Sequence, residues 1–186
     1  MIDIPCIILS GGASKRMGED KSLLPFKNSP TLIEYQYKKL SKIFSTVYIS
    51  SKTNKFDFGA NLIYDNAQET FSPMIALQSI LTQCKANKVF IVTVDVPFIE
   101  KETFISLTEQ STKYDVTIAK DNSFSHNLCG VYSKSLLPLI NTLLYENIHK
   151  INTLIKNSNS SLKINFKHTE QFKNINTKED YNNYKN

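Results

Sequence analysis

The sequence predicts an α/β fold in which one mostly parallel β-sheet carries helices on both of its faces. Apolar, β-prone runs alternate along the chain with segments of helical periodicity, and short turns join them, as in sheets built from strand and crossover-helix units. The strongest run, residues 89–94, is apolar at nearly every position, as a strand covered on both faces requires. The length of 186 residues suits one domain, and there is no internal repeat or second core. We therefore expect a single domain that spans residues 1–186.

The elements of the first half of the chain follow from local patterns. Residues 4–9 are a short apolar run before a glycine-containing loop, which predicts a buried strand. Residues 31–44 follow a Ser-Pro start and carry apolar side chains near the helical period, which predicts a helix. Two β-prone runs, at 47–50 and 62–64, predict short strands. Residues 73–84 place their apolar side chains on one helical face, which predicts a second helix.

The second half continues the same alternation. β-branched and apolar runs predict strands at residues 89–94, 116–119, 128–132 and 162–166. Segments with helical spacing, the last of them polar, predict helices at residues 100–111, 133–145, 148–155 and 177–184.

The composition indicates a globular protein of a reducing compartment. Apolar residues are 41% of the chain and charged residues 21%, with only 5 Gly and 6 Pro, which excludes collagen-like and disordered classes. No apolar run approaches the ~20 residues of a membrane helix, and acidic Asp3 stands where an export signal is basic. Cys6, Cys84 and Cys129 are widely spaced in apolar contexts, which favours reduced core residues over a disulfide frame. We expect a cytoplasmic protein with no membrane partner.

The positive charge of the chain is diffuse. There are 22 Lys and Arg residues against 17 Asp and Glu residues, a net charge of +5, which suits nucleic acid, an anionic surface or small phosphorylated ligands. The lysines are spread along the whole chain, whereas nucleic-acid binders concentrate their cations on one stripe. The one arginine, Arg16, lies in a glycine-containing loop. We therefore expect solvated surface lysines and no nucleic-acid partner.

The loop at residues 9–21 is the first candidate for chemistry, because open α/β sheets bind ligands beyond the carboxyl ends of their strands. Its glycines let the main chain approach a phosphate, and Lys15, Arg16 and Lys21 add positive potential. The loop matches neither the Walker spacing nor G-x-G-x-x-G. A polyphosphate-binding loop of another type and a simple strand-to-helix connection with solvated lysines both fit this spacing.

Single polar residues after the predicted strands are the next candidates. Asp95 follows the most buried strand and is a reasonable Mg²⁺ anchor, because Mg²⁺ is commonly held by one or two carboxylates and by substrate phosphates. Asp65 closes the strand at 62–64 and should emerge at the same edge, although either Asp could simply form a turn. His126 precedes the strand at 128–132, and a lone His is most often structural. No elbow motif of a serine hydrolase and no metal-binding Cys or His cluster is evident.

Three segments resemble one family. Residues 9–21, LSGGASKRMGEDK, resemble the signature L-[AS]-G-G-x-S-x-R-M-G-x-D-K of nucleotidyltransferases related to molybdenum cofactor guanylyltransferase. Residues 95–98, DVPF, are similar to the metal-binding D-x-P-[FY] of these MobA-like enzymes, and residues 174–180, NINTKED, are similar to N-[IV]-N-T-P-E-[DE]. His126 matches a His-Pro step, with Asn127 in place of the proline. The resemblance covers residues 4 to about 181.

The resemblance implies a Rossmann-like fold of the nucleotide-diphospho-sugar transferase type and a specific reaction. GTP and molybdopterin cofactor would give the guanine dinucleotide cofactor and pyrophosphate, with Mg²⁺ required and molybdoenzyme maturation proteins as further candidate partners. The implied catalytic residues are Arg16, Lys21 and Asp95, and the implied metal ligand is Asp95. The implied GTP-binding residues are Leu9, Ser10, Gly11, Gly12, Lys21, Ser50, Asp65 and Asp95.

Two departures from the family pattern leave alternatives open. The family has G-P-L-x-G where residues 72–76 read SPMIA, and Ser50 stands where some relatives have a nucleotide-binding Asn. A cytidylyltransferase that uses CTP, a related transferase with another phosphorylated small molecule as acceptor, and a noncatalytic carrier of cofactor or nucleotide are the alternatives to GTP-dependent transfer.

Overall fold

A computed structural model describes residues 1–10, 20–65 and 72–185. The strands in these residues are β1 (Cys6–Leu9), β2 (Val47–Ser51), β3 (Leu62–Tyr64), β4 (Lys88–Thr93), β5 (Val116–Lys120), β6 (Ser125–Ser133) and β7 (Ser161–Asn165). The α-helices are α1 (Leu32–Leu40), α2 (Pro73–Gln83), α3 (Lys101–Gln110), α4 (Leu137–Tyr145), α5 (Ile151–Asn157) and α6 (Lys178–Tyr184). Short 3₁₀ turns lie at Lys21–Leu23, Ser111–Lys113, Lys134–Leu136 and Thr169–Phe172.

The strands form one sheet in the order β3-β2-β1-β4-β6-β5-β7. All neighbouring strands are parallel except for β6, which runs antiparallel to both β4 and β5. β6 reverses direction because only residues 121–124 separate it from β5, too few for the crossover that parallel strands need. The predicted fold class, a mostly parallel sheet with helices, is therefore confirmed.

The core lies on both faces of the sheet, because successive side chains of each strand point to opposite sides. Ile8 of β1 and Phe90 of β4 pack on the face that α1 and α3 cover. Ile7 of β1 and Ile91 of β4 pack on the other face, against α2, α4 and α5. All four side chains are almost fully buried, so the apolar run of β4 has the two-sided burial that its sequence indicated.

Several predicted boundaries are wrong by a few residues. The helix predicted at 31–44 ends at Leu40, while Thr31 serves as its N-cap and accepts a hydrogen bond from Glu34 N at 3.2 Å. The strand predicted at 128–132 begins at Ser125, because backbone pairing with β5 continues through polar, half-buried residues. The helix predicted at 148–155 begins at Ile151 and ends at Asn157, and Lys150 at its N-cap makes no side-chain cap hydrogen bond.

The three cysteines are buried and free, as the sequence predicted. Burial raises the pKa of the Cys129 thiol to about 12, so this thiol stays protonated and unreactive at neutral pH. None of the helices in the described ranges is both long enough and apolar enough to cross a bilayer.

Candidate active site

The candidate site lies at the edge where the parallel strands β1 to β4 end. Leu9 is in register with Ser50 of β2 and with Thr93 of β4, and Asp65 N donates to Ser51 O at 3.1 Å just beyond β3. Asp95 lies in the turn that directly follows β4. The sheet therefore brings residues at or just beyond the ends of four separate strands to one edge.

A pocket of about 130 Å³, named here the β1–β3 pocket, opens at this edge. It is lined by Leu9, Ser50, Ser51, Lys52, Asp65, Ser72, Pro73, Ala76, Thr93 and Leu128. Three residues predicted to bind nucleotide, Leu9, Ser50 and Asp65, therefore share one cavity. Ser72 and Ala76, which stand where the family pattern has glycines, line the same cavity.

A second pocket of about 300 Å³, named here the β4–β6 pocket, adjoins the first. It is lined by Thr93, Asp95, Val96, His126, Asn127, Leu128, Cys129, Phe172 and Asn174. Thr93 and Leu128 belong to both linings, so the two pockets meet along β4 and β6. Because β6 is antiparallel, its beginning reaches the edge at which β4 ends.

Lys21 and Asp95 form an ion pair beside these pockets. Lys21 Nζ lies 2.9 Å from Asp95 Oδ2, and the two side chains are 17% and 20% exposed. Lys21 also donates to Ile175 O at 3.2 Å and to Asn176 Oδ1 at 3.1 Å. Asp95 Oδ1 is buried and accepts no hydrogen bond from any described residue. The lysine thus balances the charge at Oδ2, while Oδ1 can accept a hydrogen bond or coordinate a cation.

Asp20 fixes the start of the 3₁₀ turn that carries Lys21. Its Oδ1 accepts hydrogen bonds from Ser22 N at 3.0 Å and from Ser22 Oγ at 2.7 Å, and its Oδ2 pairs with Lys55. Burial on its own would raise the pKa of Asp20, but the hydrogen bonds from Lys55 and Ser22 outweigh it and lower the pKa. The ionised carboxylate therefore caps the turn and sets the direction of the lysine next to it.

Helix α1 holds the backbone on either side of Asp95. Buried Gln36 donates from Nε2 to the carbonyl oxygens of Thr93 and Val94 at 3.4 and 3.3 Å, and Lys39 Nζ donates to those of Pro97 and Ile99 at 2.7 Å each. Burial, with repulsion from Lys27, lowers the pKa of Lys39 to about 8. The sequence analysis missed both supporting residues, although Gln36 lies one helical turn from Leu32 and from Leu40 on the buried face.

The turn between β5 and β6 places a His–carboxylate pair in the β4–β6 pocket. His126 Nε2 lies 2.9 Å from Asp121 Oδ2, and the imidazole stacks on Phe172 with ring centroids 4.1 Å apart. Asp121 Oδ1 accepts hydrogen bonds from Ser123 N and Phe124 N at 2.7 and 2.6 Å. These backbone donors, Phe124 first, lower the pKa of Asp121, so it is an ionised acceptor at neutral pH.

Three of the predicted site residues, Gly11, Gly12 and Arg16, lie outside the described residues. Ser10, the last residue described before them, is buried, and its N donates to Ser50 O at 3.1 Å. Its hydroxyl has no partner within the described ranges. The main chain therefore leaves β1 at the rim of the β1–β3 pocket.

Comparison with known proteins identifies the family. Residues 6–162 match the family model described as the MobA-like NTP transferase domain. The chain belongs to this family. The resemblance seen in the sequence is thereby confirmed, and the domain is that of a nucleotidyltransferase.

Relatives of this MobA-like transferase cover almost its whole length. It is 40% identical over 185 residues to a protein of Campylobacter jejuni subsp. doylei named molybdenum cofactor guanylyltransferase, covering 98% of this chain and 96% of the relative. A Helicobacter pylori protein of the same name is 32% identical, over 96% of this chain and 87% of the relative. A solved structure, molybdopterin-guanine dinucleotide biosynthesis protein A from Archaeoglobus fulgidus, has the same fold, with a TM-score of 0.81 at 19% identity and coverage of 98% and 97%.

The side chains of this MobA-like transferase are better suited to a cation held by Asp95 alone than to a metal ion surrounded by several protein ligands. In the part of the chain that the structure describes, no three His, Cys, Asp or Glu side chains are grouped to hold a metal ion. Asp95 does offer a buried, unpaired carboxylate oxygen, Oδ1. A single carboxylate of this kind suits Mg²⁺, which keeps several waters and takes further oxygens from substrate phosphates.

Proposed function

We propose that the protein transfers GMP from GTP to the phosphate of molybdopterin cofactor, forming the guanine dinucleotide cofactor and releasing pyrophosphate, with residues 1–186 acting as one catalytic domain. The observation that carries the proposal is the pair of adjoining pockets with the Lys21–Asp95 ion pair beside them, because a transferase must hold a donor and an acceptor on either side of one reacting centre. The choice of GTP and molybdopterin cofactor as substrates is based on the names of the relatives at 40% and 32% identity.

In this proposal the nucleotide occupies the β1–β3 pocket and reaches towards Lys21. Ser50 and Asp65 would contact the nucleoside, and the main chain at residues 9–12 would approach the phosphates. The support is that Leu9, Ser50 and Asp65 line one cavity, and that the chain leaves β1 at its rim. The β4–β6 pocket, which holds Asp95 and adjoins the first, would then receive the acceptor.

The chemistry needs alignment and charge stabilisation more than proton transfer. A phosphate oxygen of the acceptor, already anionic at neutral pH, forms a bond to the α-phosphorus of GTP. The bond from that phosphorus to the oxygen of the leaving pyrophosphate breaks. No side chain has to remove a proton, so the work left to the protein is to hold both groups in line and to stabilise the developing charge. Arg16 and Lys21 are the cations proposed for that purpose.

Asp95 is the proposed holder of Mg²⁺. Mg²⁺ bound there would neutralise phosphate charge and fix the triphosphate in one geometry. Lys21 Nζ, which in this structure is held by Asp95, Ile175 and Asn176, is the ammonium group that would contact the phosphates.

We further propose that the reaction takes place in the cytoplasm and that molybdoenzyme maturation proteins receive the product. The substrate GTP is a cytoplasmic metabolite, and the three buried cysteines are free thiols, which suits a reducing compartment.

Purified protein, GTP, Mg²⁺ and molybdopterin test the proposal directly. We expect pyrophosphate and the guanine dinucleotide to form in equal amounts, and neither to form when Mg²⁺ is chelated. A parallel reaction with CTP tests the cytidylyltransferase alternative. Ser72 and Ala76 line the β1–β3 pocket where the family pattern has glycines, and this departure is the reason to test a second nucleotide. The guanylyltransferase proposal is wrong if CTP supports faster transfer than GTP. Tight binding of both ligands without pyrophosphate release would instead indicate a carrier.

A further inference from the structure

We infer that His126 binds the phosphate group of the acceptor in the β4–β6 pocket, and that Asp121 is the residue that positions it. The inference rests on the proposed function, because it assigns a contact to the second substrate of the same site. The sequence analysis gave this histidine no role in binding or catalysis.

The geometry holds the imidazole in one orientation. Asp121 Oδ2 lies 2.9 Å from His126 Nε2, and Phe172 stacks on the ring with an angle of 13° between the two planes. Asp121 is itself held by two backbone N–H groups of the turn that precedes His126. The histidine side chain is only 17% exposed, so it can turn little without breaking these contacts.

The partner on Nε2 determines what the other ring nitrogen can do. An ionised carboxylate only accepts hydrogen bonds, so Nε2 must carry the proton that points at Asp121. Nδ1 is not hydrogen-bonded by any described residue. Nδ1 is therefore the nitrogen left for a ligand, and when the imidazole carries both protons, Nδ1 donates a hydrogen bond to an anion.

The charges of the pocket make a phosphate the fitting ligand for that nitrogen. Within the described lining, the side chains that can carry charge at neutral pH are Asp95 and His126, since Cys129 stays a thiol. Asp95 is the proposed site of the cation beside the α-phosphate. An acceptor phosphate that enters the same pocket needs a donor that does not compete for this cation, and His126 is placed to be that donor. Charge-assisted bonds from a fixed imidazole are among the stronger ones available to phosphate.

The test is a direct binding titration that needs no turnover. Molybdopterin and its dephosphorylated form are each titrated, by pterin fluorescence, into wild-type protein and into His126→Phe, His126→Gln and Asp121→Asn. Phe keeps the ring that stacks on Phe172 and removes both nitrogens, whereas Gln keeps a hydrogen-bonding group. His168→Phe is the matched control, because His168 also pairs with a carboxylate, Glu100, at 2.6 Å and lines neither pocket in the part of the chain described.

We expect His126→Phe to weaken molybdopterin binding by about tenfold or more, the usual loss for one hydrogen bond to a charged group, with GTP affinity within twofold of wild type. His126→Gln and Asp121→Asn should lose less, and His168→Phe nothing. The dephosphorylated ligand should bind all variants equally. The inference is overturned if His126→Phe binds molybdopterin as wild type does, or if it weakens the phosphorylated and dephosphorylated ligands by the same factor.

The outcomes also separate this inference from the proposed function. Wild-type protein that binds molybdopterin in a His126-dependent way but releases no pyrophosphate with GTP supports the inference and contradicts the guanylyltransferase. Turnover with an acceptor KM that His126→Phe leaves unchanged supports the guanylyltransferase and overturns the inference. Failure of wild-type protein to bind molybdopterin contradicts both.

Discussion

Lys21 Nζ lies 2.9 Å from Asp95 Oδ2, which joins the turn after the glycine-containing loop to the end of β4, 74 residues further along the chain. The C-terminal segment completes the arrangement, because Ile175 N donates to Asp95 O at 2.8 Å while Ile175 O accepts from Lys21. Three distant parts of the sequence therefore meet at Asp95, through its carboxylate and its main-chain carbonyl.

Replacing Asp95 by Asn is expected to lower kcat for nucleotidyl transfer by about 10²- to 10³-fold, as when one preorganised charge-stabilising group is lost. The amide keeps the shape of the side chain but not the charge that holds a cation, so the thermal unfolding temperature should change little. GTP affinity in metal-free buffer should stay close to wild type. Asp57→Asn, at an exposed position away from both pockets, is the control. Turnover that survives in Asp95→Asn would mean that the cation is held elsewhere.

Lys21→Met should raise the KM for GTP and lower kcat, because it removes the proposed phosphate contact and leaves Asp95 without its ion pair. Lys21→Arg should retain more activity, since it keeps the charge. The loss of stability in Lys21→Met should stay near 1 kcal/mol, because the pair is partly exposed. Steady-state kinetics and urea unfolding measure the two effects, with exposed Lys42→Met as control. Equal kinetic constants for Lys21→Met and wild type would show that Lys21 does not contact the nucleotide phosphates.

Lys39 should make the stability of the protein depend on pH in alkaline solution. Its pKa is about 8 in the folded protein, against about 10.4 in an unfolded chain, so between these values the unfolded state binds more protons. The free energy of unfolding should therefore receive a contribution from Lys39 that rises with pH across this window. Lys39→Met should lack that rise, whereas Lys38→Met, at the more exposed neighbouring lysine of α1, should keep it. Urea unfolding at several pH values compares the three proteins, and parallel curves for Lys39→Met and wild type would contradict the assignment.

Gly130→Ala is expected to destabilise the protein by about 2–3 kcal/mol, as overpacking in a dense core does. A methyl group on Gly130 would lie 2.2 Å from Thr117 O and 2.8 Å from Ile118 Cα, both backbone atoms of the neighbouring strand β5. These atoms cannot move without disturbing the irregular pairing of β5 with β6 beside them. Gly59→Ala, whose added methyl meets nothing within 4 Å, is the matched control and should be nearly neutral. A similar unfolding midpoint for both variants would contradict the prediction, because it would show that the backbone of β5 can shift to accommodate the added methyl group.

The sheet and its binding edge could be predicted because they depend on local patterns. The apolar run that became β4 identifies a central strand by itself. Once strands are taken as parallel, residues at or just beyond their carboxyl ends, such as Leu9, Ser50 and Asp65, must come to one edge. The antiparallel direction of β6 could also have been predicted, because the sequence has no helix between it and β5.

The supporting contacts could not be predicted, because they join residues that are distant in sequence and have no shared pattern. Lys21 meets Ile175 and Asn176 across 154 and 155 positions. Gln36 could be recognised as a polar residue on the apolar face of a predicted helix. The carbonyl groups that accept its hydrogen bonds could not be predicted from the sequence. For His126, the informative residue is Asp121, five positions earlier, and their pairing can be recognised only when the turn between β5 and β6 is known.

The contacts of Ile175 and Asn176 have a consequence for synthesis. A nascent chain that has emerged only as far as β4 lacks the segment that binds the main-chain carbonyl of Asp95 and the ammonium group of Lys21. Premature termination upstream of residue 175 would accordingly leave a product with most of the sheet and an unfinished centre. The arrangement around Asp95 is thus completed only after Ile175 and Asn176 have been synthesised.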